Sequence, residues 1–197
     1  MGDLLYRPIR RALGVSAFGV NAYTGAQPGD QVIEDHDETG AGSGRHEELY
    51  VVLTGHAAFT LDGESIDAPV GTFVFAQPDQ RRGATAVAAN TTVVVIGGKP
   101  GTAGPASPFE YWYLAEPAYR AGDYEQAYAI AAEGLEPHPD NVPLHYQLGC
   151  YAALAGRRED ALRHIGIAFE GDPTKTRKWA ADDRDLDSIR DALGESA

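Results

Sequence analysis

The sequence is poor in cysteine, in basic residues and in long apolar runs. Cys150 is the only cysteine among 197 residues, so no internal disulfide forms and a reducing, cytoplasmic location is expected. No apolar run approaches the roughly 18 residues that cross a bilayer, and residues 1–7 lack the features of a secretory signal peptide. A membrane-spanning protein is therefore not expected.

The scarcity of positive charge excludes two further classes of partner. The chain has 16 Lys and Arg residues against 29 Asp and Glu residues, a formal net charge of −13. Nucleic acids and anionic membrane surfaces are bound first through Lys and Arg on phosphate groups. We therefore expect neither partner. The hydrophobic fraction of 43% is ordinary for a globular protein with a core.

Short alternating segments separated by turn residues fill the first half of the chain. Asp62-Gly63 predicts a hairpin turn, and Thr54-Gly55 predicts another. Short strands at regular spacing indicate a sandwich or barrel rather than a parallel sheet. The predicted strands cover residues 15–23, 31–38, 46–53, 56–61, 64–68, 71–76, 82–88 and 91–96.

Two motifs in this half resemble those of the cupins. Glu48, six residues and Gly55 match the second half of the first cupin motif, and residues 71–82 resemble the second motif. In that family a His-x-His pair, a Glu and a further His hold a metal, but here Gly42, Gly44 and Arg82 stand at the His positions. The resemblance implies an all-β jelly-roll barrel (double-stranded β-helix) over residues 1–98, with three of the four standard ligands missing.

A rearranged metal site is one interpretation of the barrel. His36 and Glu38 have the two-residue spacing of the missing His pair, and His46 with Glu48 would complete the set. Such a site suits one divalent transition metal, Fe, Mn, Ni or Zn. The cupin resemblance would then imply a metal-dependent enzyme of the dioxygenase or isomerase type. Arg82 opposes this interpretation, since its fixed positive charge would lie close to the cation.

The other interpretation needs no cofactor. Arg82 either forms an internal ion pair with Glu48 in the place of the metal, or binds a small anionic ligand, with Glu48 and Tyr50 beside it. An internal pair would make the barrel a packed scaffold. A free guanidinium would make it a ligand sensor.

The second half of the chain follows a Gly- and Pro-rich linker, residues 99–108, and contains an internal repeat. Ala121-Gly122 recurs as Ala155-Gly156, and Ala127 recurs as Ala161, each 34 residues later. This period and pattern resemble the tetratricopeptide repeat. The resemblance implies an all-α domain over residues 109–197, with helical hairpins at 108–141 and 142–175, capping helices after them and a groove for a protein partner. His145 replaces an aromatic residue of the pattern, which predicts looser packing there.

These features predict a bacterial-type protein that joins a cupin barrel to tetratricopeptide repeats. Our first hypothesis is a non-catalytic interaction or ligand-sensing protein, and the alternative is the metal-dependent enzyme described above. The cupin resemblance also implies a homodimer.

Overall fold

The computed structural model describes residues 4–40 and 43–193. The chain forms two compact units divided between residues 103 and 104, inside the segment predicted as a linker. Within the described residues, no helix combines the length and the apolar composition that a membrane span requires. We call the compact unit up to residue 103 the β unit, and the compact unit from residue 104 the helical unit.

The β unit contains nine described strands and one short helix. The helix, α1, covers Ile9–Leu13, after the first strand. The strands are β1 (Leu5–Arg7), β2 (Gly19–Gly25), β3 (Gln31–His36), β4 (Glu47–Thr54), β5 (His56–Leu61), β6 (Glu64–Pro69), β7 (Phe73–Ala76), β8 (Arg82–Ala86) and β9 (Thr91–Gly98).

These strands form two antiparallel sheets. One has the order β1-β2-β9-β4-β7 and the other the order β3-β8-β5-β6. From β2 to β9 the chain passes repeatedly from one sheet to the other, which is the strand order of a jelly roll. The predicted all-β jelly roll is therefore confirmed by the topology.

Alternating side chains of both sheets make the core of this unit. Tyr50 and Val52 of β4 point inward beside Val93 of β9, and Phe59 of β5 faces them from the other sheet, its ring centroid 5.5 Å from that of Tyr50. The intervening positions Leu49 and Val51 are only half-buried. This two-residue period is what a strand with one buried face requires.

The hairpin predicted at Thr54-Gly55 is wrong. Strands β4 and β5 belong to different sheets, so Gly55 is a corner at which the chain changes sheets. Gly55 has φ of +75°, and a Cβ there would lie 2.5 Å from Oγ1 of Thr91. The hairpin predicted at Asp62-Gly63 does form, between β5 and β6, with both turn residues at positive φ.

The helical unit repeats its elements after 34 residues. Helix α2 (Pro108–Arg120) and helix α3 (Tyr124–Ala132) precede α4 (Val142–Leu154) and α5 (Arg158–Gly171). The two Ala-Gly pairs lie in the three-residue turns α2–α3 and α4–α5, where Gly122 and Gly156 have φ of +77° and +76°. Helix α6 (Pro173–Ala180), a 3-10 segment (Arg184–Ile189) and α7 (Arg190–Leu193) follow.

Small residues at the repeated positions let these helices approach closely. Ala127 of α3 and Ala161 of α5 are fully buried. A Cβ on Gly149 of α4 would lie 2.6 Å from the side chain of Ile165 of α5. The repeat pattern therefore marks helix contacts.

The looser packing predicted at His145 is wrong. The side chain is 4% exposed and is hydrogen-bonded at both ring nitrogens, 2.7 Å from the carbonyl oxygen of Pro139 and 2.9 Å from Nδ1 of His164. A polar ring replaces the aromatic one without leaving an unsatisfied group.

Candidate functional site

A buried polar cluster lies at one end of the jelly roll. Glu48 and Tyr50 project from the inner face of β4, and Arg82 projects from the start of β8 in the other sheet. Gly97 on the neighbouring strand β9 lies beside Glu48, and a Cβ there would be in ordinary van der Waals contact with Cγ of Glu48, at 3.4 Å. We call Glu48, Tyr50 and Arg82 the polar triad.

The triad is joined by short hydrogen bonds. Arg82 donates through Nη2 to Oε2 of Glu48 at 2.9 Å, and through Nε to the same oxygen at 3.2 Å. Tyr50 donates its hydroxyl proton to Oε2 of Glu48 and accepts a hydrogen bond from Nε of Arg82 at 3.2 Å. The predicted Glu48–Arg82 ion pair is therefore present.

The remaining donors of Arg82 are also used inside the protein. Nη1 donates to the carbonyl oxygen of Gln80 at 2.9 Å and contacts that of Pro78 at 3.5 Å. The Arg82 side chain is 0% exposed, while that of Glu48 is 14% exposed. The guanidinium of Arg82 is thus directed at Glu48 and not at an open cavity of the barrel. An anion would have to displace the Glu48 carboxylate to reach it.

Tyr50 is held in its protonated form. Burial, together with the hydrogen bond to the Glu48 carboxylate, raises the pKa of Tyr50 well above its ordinary value. At neutral pH this hydroxyl is protonated and donates a hydrogen bond to Glu48.

Three of the four predicted metal ligands lie together beside the triad. One donor atom each of His36, Glu38 and Glu48 falls within 4.8 Å of the others. Nε2 of His36 is 3.6 Å from Oε2 of Glu48 and 3.9 Å from Oε1 of Glu38. Nδ1 of His36 is 2.7 Å from the carbonyl oxygen of Glu34, which leaves Nε2 facing the two carboxylates.

The fourth predicted ligand does not join this group. His46 is absent from the donor group found among the described residues, and its ring lies instead against Gly44. Gly44 donates its backbone N–H to Oε2 of Glu38 at 3.0 Å, and so helps to hold that carboxylate. Gly42, the other glycine at a cupin His position, lies outside the described residues.

The donor set fits a divalent metal only in part. One imidazole and two carboxylates are suitable ligands. Glu48, however, already shares Oε2 with the guanidinium of Arg82, which cannot lose its proton. A divalent ion held by Glu48 would lie close to this fixed positive charge, and like charges in a partly buried site repel. Arg82 thus supplies a positive charge directly beside Glu48.

The helical unit has a separate open site. A cavity of about 720 Å³ lies between helices α2 and α4 and the segment that includes the end of α6. We call it the helical groove. Its lining consists of Pro108, Phe109, Trp112, Asn141, Pro143, Leu144, Tyr146, Gln147, Trp179, Asp182 and Asp183.

The single cysteine is buried next to Asp183, one of the residues that line this groove. Cys150 is 1% exposed, and burial raises the pKa of its thiol, as do the charges of Asp183 and Asp185. Its sulfur is 3.6 Å from Oδ2 of Asp183. The thiol is therefore a small buried group.

The sequence did not predict a buried hydrogen-bond chain within the repeats. Tyr128 donates to Nε2 of His164 at 2.9 Å, and His164 donates through Nδ1 to Nδ1 of His145. This direction follows from His145, whose Nε2–H donates to a backbone carbonyl. Burial lowers the pKa of His164 to about 4. His145 in an otherwise aromatic position was the signal for this chain.

Comparison with known proteins finds similarity to solved structures alone. No family model matches the chain, and no curated protein matches it. A KdgF structure from Halomonas sp. is 19% identical, covers 41% of this chain and 66% of its own, and has a TM-score of 0.36. An RmlC-like cupin from Desulfovibrio desulfuricans is 24% identical, with coverages of 48% and 81% and a TM-score of 0.40.

A further similar structure is a cupin protein from Bacteroides fragilis. It is 21% identical, covers 54% of this chain and 85% of its own, and has a TM-score of 0.42. At these identities and TM-scores the likeness assigns no substrate and no reaction to this chain.

Proposed function

We propose that this protein is a non-catalytic interaction protein. Its β unit is a cupin-type scaffold in which an internal ion pair replaces the metal, and its helical unit docks a polypeptide partner on tetratricopeptide-type hairpins. The observation that carries this proposal is the side chain of Arg82, which is 0% exposed and donates two hydrogen bonds to Glu48.

The polar groups of the β unit support a scaffold role because they are already hydrogen-bonded to one another. A cupin metal site needs open ligands around a cation, whereas Glu48 here accepts from Tyr50 and Arg82. Replacing a cation with a guanidinium neutralises the carboxylate and closes that end of the barrel. The jelly-roll order of the strands and the two sequence motifs support the cupin assignment.

The helical unit supports a docking role through its open groove. Phe109 and Trp112 of α2 are 56% and 39% exposed in its wall, although large aromatic side chains are usually buried. Exposed aromatic residues in a concave surface are typical of binding sites. The 34-residue offset of the helices supports the tetratricopeptide assignment.

We also propose that the protein is a homodimer through its β unit. Phe73 and Phe75 on the edge strand β7 are 66% and 46% exposed, and Leu53 of the adjacent strand β4 is 57% exposed. These side chains lie on the outer face of one sheet, beside an edge with unpaired backbone groups. A second copy is the partner that the cupin resemblance implies for this face.

One observation favours the alternative, a metal-dependent cupin enzyme. The donor atoms of His36, Glu38 and Glu48 lie within 4.8 Å of one another, with Nε2 of His36 directed at both carboxylates. When bound, a divalent metal would supply Lewis-acid or oxygen chemistry there.

Metal titration of the wild type and of Arg82→Gln separates the two functions. The scaffold account predicts weak Mn, Fe, Ni or Zn binding by the wild type and at least about tenfold tighter binding by Arg82→Gln, because that variant removes the competing positive charge. His36→Ala in the same background should abolish the gain. Tight, stoichiometric binding by the wild type would overturn the proposal in favour of the enzyme.

A further inference from the structure

The helical groove combines aromatic walls with two carboxylates at one end. Phe109, Trp112, Tyr146 and Trp179 supply the rings, and Tyr146 and Trp179 lie with their ring centroids 5.1 Å apart. The carboxylates belong to the consecutive residues Asp182 and Asp183.

Neither carboxylate is neutralised by a cation of the described chain. Asp183 accepts only from neutral donors, the hydroxyl of Tyr146 at 2.7 Å, the thiol of Cys150 at 3.6 Å and the backbone N–H of Asp185 at 3.0 Å. Asp182 is exposed, and no side chain within residues 4–40 and 43–193 forms an ion pair or hydrogen bond with it. The groove therefore carries two uncompensated negative charges.

The surroundings of the groove reinforce this negative charge. Residues 104–197 contain 17 acidic and 9 basic residues. Burial and the neighbouring charges of Asp183 and Asp187 raise the pKa of Asp185, against the effect of its hydrogen bond from Tyr119. An acidic partner would be repelled here, whereas a positive one would be attracted.

Aromatic faces beside carboxylates are suited to an alkylammonium group. Rings attract a cation through their quadrupole within about 6 Å of the centroid. Trp179 already makes one such cation–π contact inside this chain, because Nζ of Lys175 lies 5.2 Å from its ring centroid.

We propose that the helical groove binds a lysine side chain of a polypeptide partner. The ammonium group lies between the rings and the carboxylates of Asp182 and Asp183, and the neighbouring apolar residues of the partner contact Phe109 and Trp112. A free ammonium ion would fill only a small part of a cavity of about 720 Å³. The size of the cavity therefore favours a peptide segment. This inference rests on the proposed docking function of the helical unit.

The chain contains a natural probe of this site. Trp112 and Trp179 are its only tryptophans, and both line the groove. Titration of tryptophan emission therefore reports on the groove. The probes are the acetylated and amidated pentapeptide ALKLA, its glutamate and norleucine counterparts, and tetramethylammonium chloride. We expect ALKLA to bind about tenfold more tightly than the other two peptides and the free ion.

Two variants, each of which replaces a carboxylate with the corresponding amide, test how much charge contributes to peptide affinity. Asp182→Asn should weaken ALKLA binding about fivefold and reduce its salt dependence. Glu170→Gln removes one negative charge at an exposed position of α5 that does not line the groove, and should leave the affinity within about twofold of the wild type.

Each contrary result overturns a distinct part of the account. Equal binding of the three peptides would refute the lysine preference and retain the docking function. Binding of tetramethylammonium as tight as that of ALKLA would replace the polypeptide with a small amine. No emission change up to about 10 mM peptide would overturn both the inference and the docking function. The metal content of the β unit is a separate measurement and is unaffected by these outcomes.

Discussion

Replacing Arg82 by methionine should remove a large part of the stability of the β unit. The variant keeps an unbranched apolar stem but deletes the guanidinium, so Oε2 of Glu48 loses donors at 2.9 and 3.2 Å and the carbonyl oxygen of Gln80 loses one at 2.9 Å. The Glu48 side chain, 14% exposed, keeps its charge with only the hydroxyl of Tyr50 bonded to it. Breaking one side of a buried ion pair costs about 3–5 kcal/mol.

The neighbouring arginine provides the control. Arg81 pairs with Asp35 at 2.9 Å, but their side chains are 59% and 56% exposed. An exposed pair contributes about 0–1 kcal/mol, so Arg81→Met should have little effect. The double variant Glu48→Met/Arg82→Met leaves no unpaired charge and should be at least about 2 kcal/mol more stable than Arg82→Met alone.

Urea unfolding followed by far-ultraviolet circular dichroism measures these differences. With a slope of about 1–3 kcal/mol per molar urea, Arg82→Met should lower the midpoint of the β unit by at least about 1 M. Tryptophan emission, recorded in parallel, reports on the helical unit. Hydrogen exchange of the peptides that cover β4 and β8 locates the loss. A midpoint equal to that of Arg81→Met would refute the structural role assigned to Arg82.

Three further predictions concern packing, pH and assembly. Gly149→Ala should destabilise the helical unit by about 1–3 kcal/mol because its new methyl group meets the facing helix α5, whereas Gly166→Ala, with open space around it, should stabilise by about 0.5–1 kcal/mol in thermal unfolding. The pKa of His164 is lowered to about 4, so the unfolded chain takes up the proton first. The contribution of His164 to the free energy of unfolding is fully present above about pH 6.5, and this free energy should fall by up to about 3 kcal/mol towards pH 4. Urea titrations across this range should show a flatter profile for His164→Asn, and equal profiles would contradict the assignment. Phe73→Lys with Phe75→Lys should convert a dimer into a monomer in light scattering after gel filtration; a wild-type monomer would contradict the proposed interface.

The jelly roll was predicted from local alternation and turn signals, and the Glu48–Arg82 ion pair was one of the alternatives for the barrel. Alternation on each strand identifies which residues face inward, whereas the place of Arg82 beside Glu48 followed from the resemblance to the cupin motifs. Gly55 shows the limit of this reasoning. A glycine between two strands fits a hairpin and a corner equally well, and only the pairing partners of β4 and β5 distinguish them.

The helical groove could not be predicted because its lining is distant in sequence. Trp112, Tyr146 and Trp179 lie on helices α2, α4 and α6, and their approach depends on how successive hairpins stack. Residues 109–151 are rich in aromatic side chains, and the sequence alone favours the core for most of them. For the predicted metal set, His36, Glu38 and Glu48 do come together, but nothing local in the sequence excluded His46 from the same group.

Elemental analysis of the purified, untagged protein tests the central claim most directly. Plasma mass spectrometry after gel filtration without chelator should find Fe, Mn, Ni and Zn far below one equivalent per chain, because Arg82 holds Glu48 in place of a metal. Loading with each metal before filtration should leave this result unchanged. A content near one equivalent, lost in Glu48→Gln, would contradict the account and identify His36, Glu38 and Glu48 as a working metal site.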